Sequence, residues 1–203
     1  MSLDWTILHG IRAFLACPLL DWLMPKITMR GNSGAVWILI ACGLLCTRKY
    51  RKYGVLMLAG LAAGVLVGNV LLKNLIARPR PCWLDPGVPL LIAAPTDYSF
   101  PSGHTLISVI SAVILTAADR RFGFAAIPLA VLIAVSRLYL YVHFPSDVLA
   151  AVVLGLALGA MGGNVAERTP DVCGKTLAIN WKRPSRVGGP FAVSWFNLRP
   201  PAA

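Results

Sequence analysis

Apolar residues fall in long blocks along this chain, and the blocks have the length of membrane-crossing helices. Such a helix needs about 20 mostly apolar residues, with about 17 as a practical minimum. Gly54–Leu72 carries no charge at all. Gly34–Thr47 and Thr105–Ala118 are shorter runs, extended by uncharged polar neighbours. Phe122–Ser136 continues through Leu138–Val142, broken only by Arg137. Val148–Met161 opens beside Pro145, a residue suited to a helix start. These runs predict five transmembrane helices. The stretch Trp5–Thr28 is mixed, because it holds His9, Arg12, Asp21 and Lys26. It reads either as a sixth, short span, the reading we favour, or as a helix in the interface anchored by Trp5 and Trp22. The expected fold is an all-α integral membrane protein, a bundle of about six transmembrane helices over residues 1–165. Residues 166–203 are polar, contain five prolines and show no apolar periodicity, so a loosely ordered cytoplasmic tail is expected.

Composition agrees with the blocks. Charged residues make up 13% of the chain and hydrophobic ones 57%, against roughly 25% charged in a soluble domain. The 19 Lys and Arg against 8 Asp and Glu give a net charge of +11. In a membrane protein such an excess reports topology and anionic headgroups. Aromatic-interleaved basic stretches are absent, so no nucleic-acid partner is expected. The basic residues gather at Arg48–Lys52, at Arg120–Arg121 and after the last span, all on one side if the helices alternate. That side is expected to be cytoplasmic, which leaves residues 73–104 and 137–147 facing outwards. The five cysteines are odd in number and form no CxxC pair, which points to neither a zinc site nor a disulfide framework. Nothing in the first residues resembles a signal peptide, so insertion is expected to rest on the spans themselves.

The outward side collects the polar chemistry. Lys73, Arg80 and Arg137 bring three cations to one face at membrane depth, where charge is costly and marks function. Asp85, Asp97 and Asp147 are too few to neutralise them and also hold a divalent metal. The expected guest is phosphate-like, bound without a metal or other cofactor. Pro101-Ser102-Gly103 at a helix start adds backbone N–H groups, with glycine allowing close approach. His143 precedes Asp147 by four positions, so the carboxylate can hold one imidazole nitrogen and leave the other to attack. His104, in the opposite wall, can protonate a leaving oxygen. Together these describe phosphoryl transfer through a phosphohistidine.

The order K-x6-R-P, P-S-G-H and S-R-x5-H-x3-D resembles the type 2 phosphatidic acid phosphatase (PAP2) superfamily. Lys73, Arg80 and Pro81 match the first motif, Pro101–His104 the second, and Ser136, Arg137, His143 and Asp147 the third. The resemblance covers roughly residues 50–165. It implies a bundle of about six helices, a metal-independent hydrolase and His143 as nucleophile. It further implies that Lys73, Arg80, Ser102, Gly103 and Arg137 hold the phosphate, in a pocket open to the outer leaflet of the plasma membrane. By analogy within that family, the preferred substrate is undecaprenyl diphosphate, with phosphatidylglycerophosphate and phosphatidic acid as alternatives. A vanadium haloperoxidase uses a similar anion pocket, but its relatives are soluble. A non-catalytic lipid-binding or transport protein would have no use for the His143–Asp147 pair.

Outside the motifs the expectations are plainer. Arg78, between helix end and pocket, either assists the pocket electrostatically or meets lipid headgroups, the reading we favour, while Tyr139 and Tyr141 are expected to anchor an aromatic belt and His9 to pack in the interface without partners. Trp83 and the apolar loop Val88–Ala94 form either a lipid entrance or a short interfacial cover.

Overall fold

The computed structural model describes residues 3–30 and 34–168, and among these all regular secondary structure is helical. The Trp5–Thr28 region breaks at Ala16–Cys17 into α1 (Leu3–Leu15) and α2 (Pro18–Arg30). Each has 13 residues, about 20 Å at 1.5 Å per residue, so neither crosses a bilayer by itself. Next come α3 (Ala35–Cys46) and α4 (Arg51–Gly64). The latter runs on through a wide-turned π-helical stretch, Val65–Leu72, into α5 (Lys73–Ile76). The short α6 (Pro81–Leu84) precedes α7 (Gly103–Ala118), α8 (Arg120–Tyr139) and α9 (Pro145–Arg168). Three of these stretches, Arg51–Leu84, Arg120–Tyr139 and Pro145–Ala166, are long and apolar enough to cross a membrane, with α3 and α7 as shorter apolar helices. Each of the five predicted spans thus coincides with an apolar helix, and three of these helices are long enough to cross. Helix α9 runs beyond residue 165, and the expected tail after it lies outside the described residues.

Helix α7 is buried along most of its length and is the centre of the bundle, packed against α4, α8 and α9. Leu106, Ile110 and Ile114 are fully buried in the main core with Trp37, Met57 and Ile133. The approach of α9 to α7 depends on small residues. A Cβ on Gly155 would lie 2.8 Å from the Val109 Cβ and 3.1 Å from the Leu106 carbonyl oxygen. By contrast, Leu66, Leu71, Leu75, Phe124, Leu149 and Val153 stand exposed, a surface suited to lipid.

A second core forms where α1 and α2 cover the turn between α8 and α9, around Leu8, Met24, Tyr139, Leu140, Tyr141 and Phe144. Here two expectations fail. Tyr139 and Tyr141 are fully buried and do not anchor a belt. Their hydroxyls donate to Asp21 (2.6 Å) and Asp85 (3.0 Å), because a buried phenol needs an acceptor. His9 is also partnered, its Nε2 lying 2.9 Å from the Tyr141 hydroxyl.

Candidate active site

The backbone brings the three motifs together before any side chain acts. The π-helical stretch ends at Lys73, and wide turns of this kind re-aim the residues that follow. Ala77, in the left-handed region at φ 46°, closes α5 through its N–H to the Lys73 carbonyl (2.9 Å). Pro79 and Pro81 then favour extended backbone at the residues before them, and Arg80 has φ −81° and ψ 153°. Two hydrogen bonds tie the segments of the site: Ser99 N–H to the Arg78 carbonyl (2.9 Å) and Ser102 N–H to the Asp147 carbonyl (3.2 Å).

A cavity of about 910 Å³ opens between these segments. Its walls carry Lys73, Arg80, Gly103, His104, Arg137 and His143, while Pro25, Thr28 and Met29 come from α2 and Leu91–Asp97 from the preceding loop. Of the sequence-predicted residues, Ser102 is placed differently. It is fully buried behind the wall, its hydroxyl 3.0 Å from that of Thr105 and its N–H committed to Asp147. Gly103, His104 and Thr105 precede the first intrahelical bond of α7, Leu106 N–H to the Ser102 carbonyl (2.9 Å), and of these three Gly103 and His104 line the cavity, where their N–H groups are available to a guest. Space at Gly103 is tight: a Cβ there would come within 2.5 Å of the Asn69 side-chain oxygen.

The cations are buried and already hold an anion. Arg80, 2% exposed, donates from Nη2 to Asp97 Oδ1 (2.6 Å) and from Nε to the Asp97 carbonyl (2.6 Å). Lys73 Nζ pairs with the other carboxylate oxygen of Asp97. Burial alone would raise the Asp97 pKa, but Lys73 and Arg80 outweigh it and draw it down to about 2. Arg137, 4% exposed, donates from Nη1 to the Thr28 hydroxyl (2.6 Å), and its Nε is buried with no partner among the described residues. That orphaned donor is a further place for an anion.

His143 is almost completely buried, with Nε2 3.2 Å from Arg80 Nη1. The guanidinium has only hydrogens to offer, so Nε2 is the acceptor and the proton sits on Nδ1. Nδ1 faces Asp147 Oδ2 at 3.7 Å and the Ser99 hydroxyl at 3.5 Å. Asp147 Oδ2 also accepts from the Phe144 N–H (2.8 Å) and from the Ser99 hydroxyl. Burial, helped by the charge of Arg80 and Arg137 and resisted by Asp147, pushes the imidazole pKa down to about 3. An unprotonated nitrogen therefore faces the cationic cavity, its lone pair accepting from Arg80 Nη1.

Sequence reasoning missed Asp97, Ser99 and Thr28 as parts of the site. Asp97 and Ser99 flank the P-S-G-H motif without a motif of their own, and Thr28 lies in the ambiguous first region. Arg78 is also corrected. It does not reach for headgroups but for Asp147 (2.5 Å), Ser146 (2.7 Å) and Asp4 (2.7 Å).

A helical membrane bundle with a buried cationic cavity at the ends of its helices is the class that this fold and site define. Residues 51–165 match the PAP2 superfamily, over half of the chain, and the protein belongs to that superfamily. An undecaprenyl-diphosphatase of Sulfolobus acidocaldarius is 37% identical over 137 residues, 67% of this chain and 66% of the relative. The chain thus spans just under two thirds of that relative's length. A decaprenylphosphoryl-5-phosphoribose phosphatase of Mycobacterium tuberculosis is 33% identical over 138 residues, 64% of this chain and 71% of the relative. The crystal structure of a transmembrane PAP2 type phosphatidylglycerolphosphate phosphatase from Bacillus subtilis superposes with a TM-score of 0.69 at 29% identity, covering 82% of this chain and 86% of that one.

Proposed function

We propose that the protein hydrolyses a phosphate monoester or diphosphate borne by a membrane lipid, with His143 as nucleophile. The observation that carries this reading is the Asp97 carboxylate lodged between Lys73 and Arg80, whose Nη1 also meets the unprotonated Nε2 of His143. An oxyanion already sits where a phosphoryl group would have to be bound. In the proposed reaction Nε2 attacks phosphorus and the bond to the leaving oxygen breaks, with His104 giving that oxygen a proton. Asp147 supports the charged imidazole through Nδ1–H, as the third member of a triad does. Water then attacks the phosphohistidine, its proton passing to His104, and inorganic phosphate leaves. Lys73, Arg80, Arg137 and the N–H groups of Gly103 and His104 neutralise the equatorial oxygens, so the reaction runs without a metal. Ser102 supports this clamp from behind, through Thr105 and the start of α7.

The substrate we favour is undecaprenyl diphosphate. The archaeal and mycobacterial relatives are both named for polyprenyl lipids, and the cavity has apolar walls from α2 and Leu91–Ala94 for a chain. Phosphatidylglycerophosphate, the substrate in the name of the Bacillus subtilis structure, is the second reading. The basic clusters at Arg48–Lys52 and Arg120–Arg121 support a site on the outer face of the plasma membrane. Phosphate release by the purified full chain in detergent, with EDTA, across undecaprenyl diphosphate, phosphatidylglycerophosphate and phosphatidic acid tests this. Release from none of them, or release only after Mg²⁺ is added, overturns it.

A further inference from the structure

We infer that Arg78 and Asp4 form a positioning clamp that sets Asp147, and through it His143, for phosphoryl transfer. The inference rests on the proposed role of His143. Asp147 has two carboxylate oxygens with different duties. Oδ2 takes the Phe144 N–H and the Ser99 hydroxyl and is the one facing His143 Nδ1. Oδ1 faces away and takes Arg78 Nη1 at 2.5 Å. The guanidinium is in turn fixed on three sides. Nη1 also reaches the Ser146 hydroxyl (2.7 Å), Nη2 reaches Asp4 Oδ2 (2.7 Å), and the plane lies over the Phe144 ring, 4.2 Å from its centroid. Asp4 then closes the loop, because it accepts the Ser146 N–H (3.0 Å) and hydroxyl (2.6 Å) at the first turn of α9, the helix that carries Asp147.

The charges alternate along this row: Asp4 negative, Arg78 positive, Asp147 negative, and His143 positive only while it carries the phosphoryl group. Each group meets its opposite at the moment the charge on the imidazole develops. With Arg78 in place Asp147 stays an ionised acceptor whose Oδ2 is turned to Nδ1. Without it the carboxylate is fixed at one oxygen and free to swing. The clamp is also a covalently distant one. Asp4 lies on α1, outside the residues 51–165 that match the superfamily, so α1 acts as part of the catalytic support and not only as a cover.

The test is steady-state kinetics of Arg78→Lys, Asp4→Asn and the double variant, in the full chain, with undecaprenyl diphosphate and phosphatidylglycerophosphate as probes. Small displacements of a reacting group cost up to about a hundredfold in rate, so Arg78→Lys is expected to lower kcat between about 10- and 100-fold with KM within about twofold. Asp4→Asn is expected to lose less, in kcat only. Residues acting as one unit are not additive, so the double variant should be no slower than Arg78→Lys alone. Unchanged kcat in Arg78→Lys, a loss confined to KM, or multiplied losses in the double variant overturn the clamp. Ser146→Ala, which removes one hydroxyl shared by both residues, gives the same reading if Arg78→Lys does not fold. His143→Ala is measured alongside. If it retains full activity, the nucleophile assignment fails, whereas an inactive His143→Ala beside a normal Arg78→Lys rejects the clamp alone.

Discussion

In the proposed reaction Asp97 is a competitor, because it occupies the two cations assigned to the substrate oxygens. Because Lys73 and Arg80 hold its pKa at about 2, it stays ionised throughout the working range and must be displaced by each incoming phosphate. Asp97→Asn keeps the shape and removes the charge. Charge-assisted hydrogen bonds contribute about 1.5–3 kcal/mol when buried, and this carboxylate side chain is 54% exposed, so inorganic phosphate should inhibit the variant about three- to tenfold more tightly. An unchanged inhibition constant would mean that phosphate and Asp97 do not share a site. His143 sets the acid behaviour. An unfolded histidine takes up a proton near pH 6.5, whereas the buried one resists protonation down to about 3. Between these values the unfolded chain binds more protons, so stability falls as pH drops through that window. Thermal melting between pH 7 and 4.5 should show this fall, and His143→Gln should flatten its slope.

At the scale of elements, the site depends on how closely α9 is drawn to α7, since the first carries Asp147 and the second His104. Gly155 allows that approach against Val109 and the Leu106 carbonyl, and the latter is backbone that cannot rotate away. Overpacking of a tight core costs about 1–3 kcal/mol. Gly155→Val should therefore lower the melting temperature and slow phosphate release together, although it touches no group of the cavity. A variant with wild-type melting and activity would show that the helices have room to spare. The turn carrying Arg78 and Arg80 works differently, through Pro79, Pro81 and the left-handed Ala77, which fix the chain direction by backbone restriction.

At the scale of the whole molecule, the five apolar blocks were legible because a span must be apolar along its length, whatever it packs against. The motif residues were legible because charge at membrane depth has few other uses. What sequence patterns did not carry were contacts between distant segments. Tyr139 and Tyr141 looked like interface residues until α1 and α2 covered them, and Arg78 looked free until Asp4 arrived from the far end of the chain. The N-terminal stretch was ambiguous for the same reason: its polar residues have partners, among them Asp21 with Tyr139 and Thr28 with Arg137. The proposed topology is tested by cysteines introduced in the loop 84–98 of a variant lacking the native ones. They should react with an impermeant thiol reagent in intact cells, and labelling only after lysis would reverse the orientation. The central claim, a phosphoryl group carried on His143, has a more direct test. A single turnover of phosphorus-labelled lipid diphosphate, quenched in alkali, should leave acid-labile, base-stable label on the wild-type protein and none on His143→Ala. Equal label on both proteins, or phosphate release by wild type with no labelled protein at any quench time, would contradict it.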